Sequence, residues 1–140
     1  MREDTIKICH LKKAYGDHIL FSDFTMELKK GAITCLMAPS GAGKTTLLRI
    51  LAGLEPADGG SVTGTENLRK SMVFQEPRLI EELTVGANIQ LAARRRAFGK
   101  EKRNAHSLAE DLDEIGLHGC ENQIAAELSG GMRQRVAILR

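Results

Sequence analysis

A chain of 140 residues with 42% hydrophobic and 27% charged side chains has an ordinary soluble composition and enough apolar material for one core. A net charge of +2 is too small to imply a nucleic-acid or membrane-surface partner. No apolar run approaches the roughly 20 residues a membrane span needs, and Arg2, Glu3 and Asp4 do not open a signal peptide.

Thr5 to Cys9 and Phe24 to Leu28 alternate apolar and polar residues, the period of half-buried strands. Tyr15-Gly16-Asp17-His18 between them reads as a turn, so a small sheet is expected at the start. Ala32 to Met37 is short and mostly apolar, the pattern of a buried parallel strand. Ala38-Pro39-Ser40-Gly41-Ala42-Gly43-Lys44-Thr45 follows, and it fits the phosphate-binding loop pattern with Ala38 in place of the first glycine. Gly41 and Gly43 let the backbone turn tightly and aim its N–H groups at phosphate oxygens. Lys44 suits the β- and γ-phosphates, the Thr45 hydroxyl suits Mg²⁺, and Thr46 completes the cradle. Leu47, Leu48, Ile50, Leu51 and Leu54 then repeat at helical spacing, with Gly53 and Pro56 as the stop. Strand, glycine-rich loop and helix together predict a nucleoside triphosphate site.

Ala57-Asp58-Gly59-Gly60 is a second turn, leading into a short strand at Ser61 to Thr63, and Ser71 to Phe74 is a further strand candidate ended by Glu76-Pro77. From Leu83 to Gly116 the period becomes helical. One helix is expected from Thr84, its N-cap, to about Phe98, and a second carries Ala105, Leu108, Leu112 and Ile115 and stops at Gly116. Arg94-Arg95-Arg96, with Lys100, Lys102 and Arg103, reads as a solvated helix end because no stacking aromatics accompany it. Cys9, Cys35 and Cys120 lie far apart and without metal spacing, which reads as three buried thiols in a reducing compartment.

Leu128-Ser129-Gly130-Gly131-Met132-Arg133-Gln134-Arg135 places an N-cap serine and two glycines before a helical run. A hydroxyl with exposed N–H groups at a helix start is an anion site in outline, and by itself more often an ordinary cap.

A phosphate-binding loop followed later by Leu-Ser-Gly-Gly resembles the ATP-binding-cassette (ABC) transporter ATPases, and nearest to the nitrate, sulfonate and taurine importers. The resemblance implies an α/β fold: a P-loop NTPase core with a small N-terminal antiparallel β subdomain and a helical subdomain. It divides the chain into a β subdomain and core over 1–76, a helical subdomain over 77–128, and the signature loop with its helix from 129. It makes Gln75 the glutamine loop that senses Mg²⁺ and the γ-phosphate and contacts the membrane subunit. It makes Tyr15 the aromatic that stacks on adenine, with Leu20 packing nearby. Two cassettes pair head to tail, so Ser129, Gly130 and Gly131 face the ATP held by the partner's phosphate loop. The implied ligands are ATP and Mg²⁺. The implied partners are a second cassette and transmembrane permease subunits, on the cytoplasmic face of the membrane.

The same resemblance places a strand ending in Asp-Glu and a switch histidine after the signature helix. His10, His18, His106 and His118 all precede the signature, so none matches it. The expectation is therefore a cassette portion that lacks the catalytic segment and is inactive alone. Two rivals remain beside the transporter ATPase: a small P-loop kinase, which has no use for Leu-Ser-Gly-Gly, and a non-catalytic fragment with weak nucleotide binding.

Overall fold

The computed structural model describes residues 4–66, 68–96 and 107–140. It divides into two compact units, the first ending at Met72 and the second beginning at Val73.

The first unit starts with the expected hairpin, longer than its clearest alternation. Strand β1 (Thr5–Tyr15) and strand β2 (His18–Lys29) are antiparallel, with Gly16 at φ 58° in the connection between them. Strand β3 (Gly59–Thr63) adds to the other side of β1, giving the order β2-β1-β3. The alternation read from Thr5 stops at Cys9 for a physical reason. Ile8 pairs with Met26 but Leu11 pairs with Phe24, so β1 spends three residues where β2 spends two. That is a bulge, and His10 takes the strain at φ 53°. The slip puts Ile8 and Leu11, three apart in sequence, into one core, both fully buried. Phe21, Leu47 and Ile50 complete it.

Helix α1 (Lys44–Ala52) contributes Leu47 and Ile50 to that core and ends at Gly53, which adopts φ 75°. Its helical face is narrower than the leucine count suggests, since Leu48 and Leu54 stay largely exposed. Two expected strands do not form. Residues 33–39 and 71–74 carry no regular structure. A parallel strand exists only through ladder bonds to neighbours distant in sequence, and among the described residues no strand pairs with either segment. Ile33 and Met37 are consequently exposed.

The second unit is helical. Helix α2 (Val85–Arg96) begins after Thr84, whose Oγ1 accepts the Ala87 N–H at 3.2 Å, as an N-cap should. Helix α3 (Leu108–Glu114) carries a reciprocal capping box: Ser107 Oγ accepts from Glu110 N, and a Glu110 carboxylate oxygen accepts from Ser107 N. Gly116 ends it at φ 67°. A 3-10 turn at Ala125–Glu127 leads to helix α4 (Gly130–Leu139). Val85, Ile89, Leu112, Leu117, Leu128 and Val136 bury together. Asn88 is fully buried and fully used, accepting from Ile80 N and donating to the Ile80, Leu83 and Thr84 carbonyls. Phe98, Ala105 and the cations Lys100, Lys102 and Arg103 lie outside the described residues, as do the side chains of Arg94, Arg95 and Arg96.

Of the three cysteines only Cys120 is buried; Cys9 is half-buried and Cys35 is exposed, because the segment that would have buried it forms no strand.

Candidate functional site

The phosphate loop joins the unpaired segment to α1. Gly41 and Gly43 adopt φ 82° and 88°, the left-handed backbone their lack of a Cβ permits. Gly43 has a second reason to be glycine. A Cβ there would lie 2.6 Å from Phe21 Cζ and 3.0 Å from Leu20 Cδ2, so β2 packs directly against the loop. Leu20 thus belongs to the loop's support. The loop closes weakly on itself through Ala42 N–H to the Pro39 carbonyl at 3.4 Å, and α1 begins with Leu47 N–H donating to the Gly43 carbonyl at 2.8 Å. Gly43 caps α1 without a side-chain bond. The first-turn amides therefore remain for an anion. Lys44 Nζ donates to the Ala38 and Pro39 carbonyls at 2.6 and 2.7 Å. Its charge stays at the mouth of the loop. Ala38 takes part through its carbonyl, so the methyl that replaces the usual glycine hydrogen leaves that contact intact. Ser40 and Thr45 are exposed.

Tyr15 stands at the end of β1, about half exposed, and is bound to the same loop helix. Its hydroxyl donates to Glu55 Oε1 and approaches Thr46 Oγ1 to 3.4 Å. The Lys13 ammonium lies 5.2 Å from the ring centroid. Lys13 is itself buried, 3.4 Å from both Glu55 and Asp58 and 3.0 Å from the Pro56 carbonyl. Burial pulls its pKa down, but the hydrogen bonds and charges of Asp58 and Glu55 outweigh that, leaving it above the ordinary lysine value. The Tyr15 hydroxyl, followed by Lys13, holds Glu55 below the usual carboxylate range. The Ala14 N–H at 2.7 Å, followed by Lys13, does the same for Asp58.

In the second unit, Gln75 and Gly130 line one open hollow of about 480 Å³, with Pro77, Arg78, Arg133 and Gln134. The segment carrying Gln75 is pinned on both sides. Gln134 Nε2 donates to the Phe74 carbonyl at 3.3 Å and Arg140 Nη1 to the Arg78 carbonyl at 2.9 Å. Arg78 takes φ 50° and its guanidinium lies 3.7 Å from the Phe74 ring centroid. Ser129 is the N-cap of α4, its Oγ accepting from Met132 N at 3.3 Å. The two glycines form the first turn of the helix itself. Ser129, Gly130 and Gly131 are exposed, and apart from the chain neighbours and the helix's own backbone no described atom lies within 4 Å of a Cβ placed on either glycine.

Tyr15 and residues 38–46 are therefore assembled within one unit, and Gln75 with Ser129, Gly130 and Gly131 within the other. Sequence reasoning missed Lys13, Glu55 and Asp58 around Tyr15, and Gln134 and Arg140 around Gln75. No local pattern in the sequence marked either group.

The ABC transporter family model matches residues 21–140. An aliphatic sulfonates import ATP-binding protein of Burkholderia cenocepacia (strain HI2424) is 43% identical over 135 residues, covering 92% of this chain and 48% of that protein. A sulfate/thiosulfate import ATP-binding protein of Xanthomonas campestris pv. campestris is 39% identical over 148 residues, covering 96% of this chain and 43% of the other. The chain spans about half the length of such relatives. A solved structure described as the ATP binding subunit of an ABC transporter superposes with a TM-score of 0.79 at 27% identity, covering 96% of this chain and 60% of that one.

Proposed function

The chain belongs to the ABC transporter family, and from that premise we propose that it binds ATP with Mg²⁺ as part of a cassette that drives import of sulfonate- or sulfate-like anions. One observation carries the reading: left-handed Gly41 and Gly43 lead into the uncapped first turn of α1, with Lys44 at the loop's mouth. Amides without helical partners, a positive helix end and a fixed ammonium together favour a polyanion.

The donors fit Mg²⁺ as well. Taken separately, Thr45 in the first unit offers an exposed hydroxyl and Gln75 in the second is exposed and carries a carboxamide oxygen, each a hard ligand type. No cluster of three or more His, Cys, Asp or Glu suited to a metal occurs among the described residues, so the ion would rely on the phosphates for further ligands. When bound, Mg²⁺ would neutralise charge on the β- and γ-oxygens. Tyr15 offers a ring for the adenine. Ser129, Gly130 and Gly131 offer an open helix start to the triphosphate of a second copy. Gln75, beside the hollow, faces a permease subunit, and the cassette sits on the cytoplasmic side of the membrane through that subunit. The sulfonate and sulfate assignment rests on the names of the relatives.

The test is calorimetric. In the full-length protein, Lys44→Ala should abolish measurable ATP binding, while Ser129→Arg should leave ATP binding to the monomer intact and remove turnover. An unchanged dissociation constant for Lys44→Ala would remove the phosphate cradle from the argument.

A further inference from the structure

The Tyr15 ring, proposed above as the adenine platform, is not a free turn residue. Its hydroxyl donates to Glu55, just past the C-terminal end of α1, and reaches toward Thr46 in that helix's first turn. Glu55 is in turn fixed by Lys13, which is buried between Glu55, Asp58 and the Pro56 carbonyl. Asp58 closes the circuit by accepting the Ala14 N–H, next to Tyr15 in β1. The Lys13 ammonium also lies over the ring.

Elementary geometry gives this circuit a use. A tyrosine at a strand end keeps its χ1 and χ2 freedom unless its far end is held. Stacking on a base requires one ring orientation, so any freedom lost on binding subtracts from affinity. Here the far end is held by an acceptor belonging to the segment that follows the phosphate-loop helix. The ring is thereby registered against the cradle before ligand arrives. With Lys13 over one face, the opposite face is the one left for a base.

We propose that Glu55 is a positioning residue for nucleotide binding: it fixes the Tyr15 ring through the hydroxyl, at a set place relative to the phosphate loop, and so sets the adenine contribution to affinity. This rests on the reading of Tyr15 as the adenine platform. Lys13 and Asp58 act one step back, by holding Glu55 and the β1 backbone in place.

The experiment is a set of titrations on the full-length protein with ATP and with inorganic tripolyphosphate, which has no base. Glu55→Ala should weaken ATP about five-fold, the size of one modest hydrogen bond, and leave tripolyphosphate affinity unchanged. Tyr15→Phe should show the same loss, and adding Glu55→Ala to Tyr15→Phe should cost nothing more. Glu55→Gln, which keeps an acceptor oxygen, should restore most of the ATP affinity. Wild-type ATP affinity in Glu55→Ala, a further loss in the Tyr15→Phe background, or an equal loss for tripolyphosphate would each overturn the proposal. Tyr15→Ala separates the two ideas. If it leaves ATP affinity unchanged, the platform reading itself fails; if it costs ten-fold or more while Glu55→Ala costs nothing, the platform stands and the positioning role falls.

Discussion

At the scale of single residues, two charged arrangements set how the protein responds to pH. His118 Nδ1 lies 2.5 Å from Asp113 Oδ1. The hydrogen bond and charge of Asp113, with help from Glu121, raise the His118 pKa above its ordinary 6.5. A raised histidine stabilises the fold fully below its unfolded value and loses that contribution as pH climbs through the raised one. An NMR titration should therefore place the His118 midpoint above 6.5, and Asp113→Asn should return it toward the unfolded value. Glu55 and Asp58 have the opposite sign. Both are depressed, so their contribution is complete above the ordinary carboxylate range and disappears as pH falls through their lowered values. Acid should loosen the β unit first where these two anchor Lys13. The protection factor of the Ala14 amide, whose N–H donates to Asp58, should fall as pH drops below the ordinary carboxylate range, and Asp58→Asn should lower it at neutral pH.

At the scale of elements, the phosphate loop separates backbone demand from packing demand. Gly41 and Gly43 both sit at positive φ, but a Cβ meets open space at Gly41 and the Phe21 ring at Gly43. Gly41→Ala should destabilise by about 1–2 kcal/mol, the cost of the left-handed backbone alone. Gly43→Ala should add about 1–3 kcal/mol for forcing Phe21 aside. Urea denaturation of the two variants, compared with wild type, measures the difference; equal losses would mean the Phe21 contact is soft. What the residues disclosed in advance follows the range of the interaction involved. Thr84 and Ser129 announced helix starts because a cap speaks to amides two or three residues away, whereas the Ser107 cap was passed over. The hairpin was visible for the same reason. The bulge at His10 was not, since it becomes evident only when β1 is aligned with β2. Nor were residues 33–39, whose apolar pattern matches a strand but whose ladder partners are not local. The candidate site divides likewise: glycines and lysine in one short run are legible, whereas Glu55 reaches Tyr15 across forty residues with no spacing rule to mark it.

At the scale of the molecule, the described residues gather into two cores, one around Ile8, Leu11 and Leu47 and one around Val85, Leu112 and Val136. Each is compact within its own unit, so a large-to-small change in either should act locally. Leu11→Ala should cost about 2–4 kcal/mol and accelerate amide exchange in β1, β2 and α1 before it does so in α2 to α4. Uniform acceleration through both units would show that they unfold as one. The 140-residue chain also presents Ile33 and Met37 in full solvent contact beside an unpaired backbone. Such a segment is a template for association. Replacing both, as Ile33→Thr with Met37→Gln, should lower light scattering of the concentrated chain without changing its unfolding midpoint. Scattering that persists would place the sticky surface elsewhere.

The contacts of α4 and of Arg140, which ends it, carry a consequence for how the second unit tolerates substitution. Gln134, Arg135 and Arg140 spend their hydrogen bonds on main-chain carbonyls, those of Phe74, of Ile115 and Gly116, and of Arg78. A carbonyl is supplied by any amino acid, whereas a long side chain that ends in the right donor is not. The contacts are thus asymmetric to substitution: truncating Gln134, Arg135 or Arg140 removes the bond, whereas exchanging Ile115 for another apolar residue leaves in place the carbonyl that Arg135 reaches.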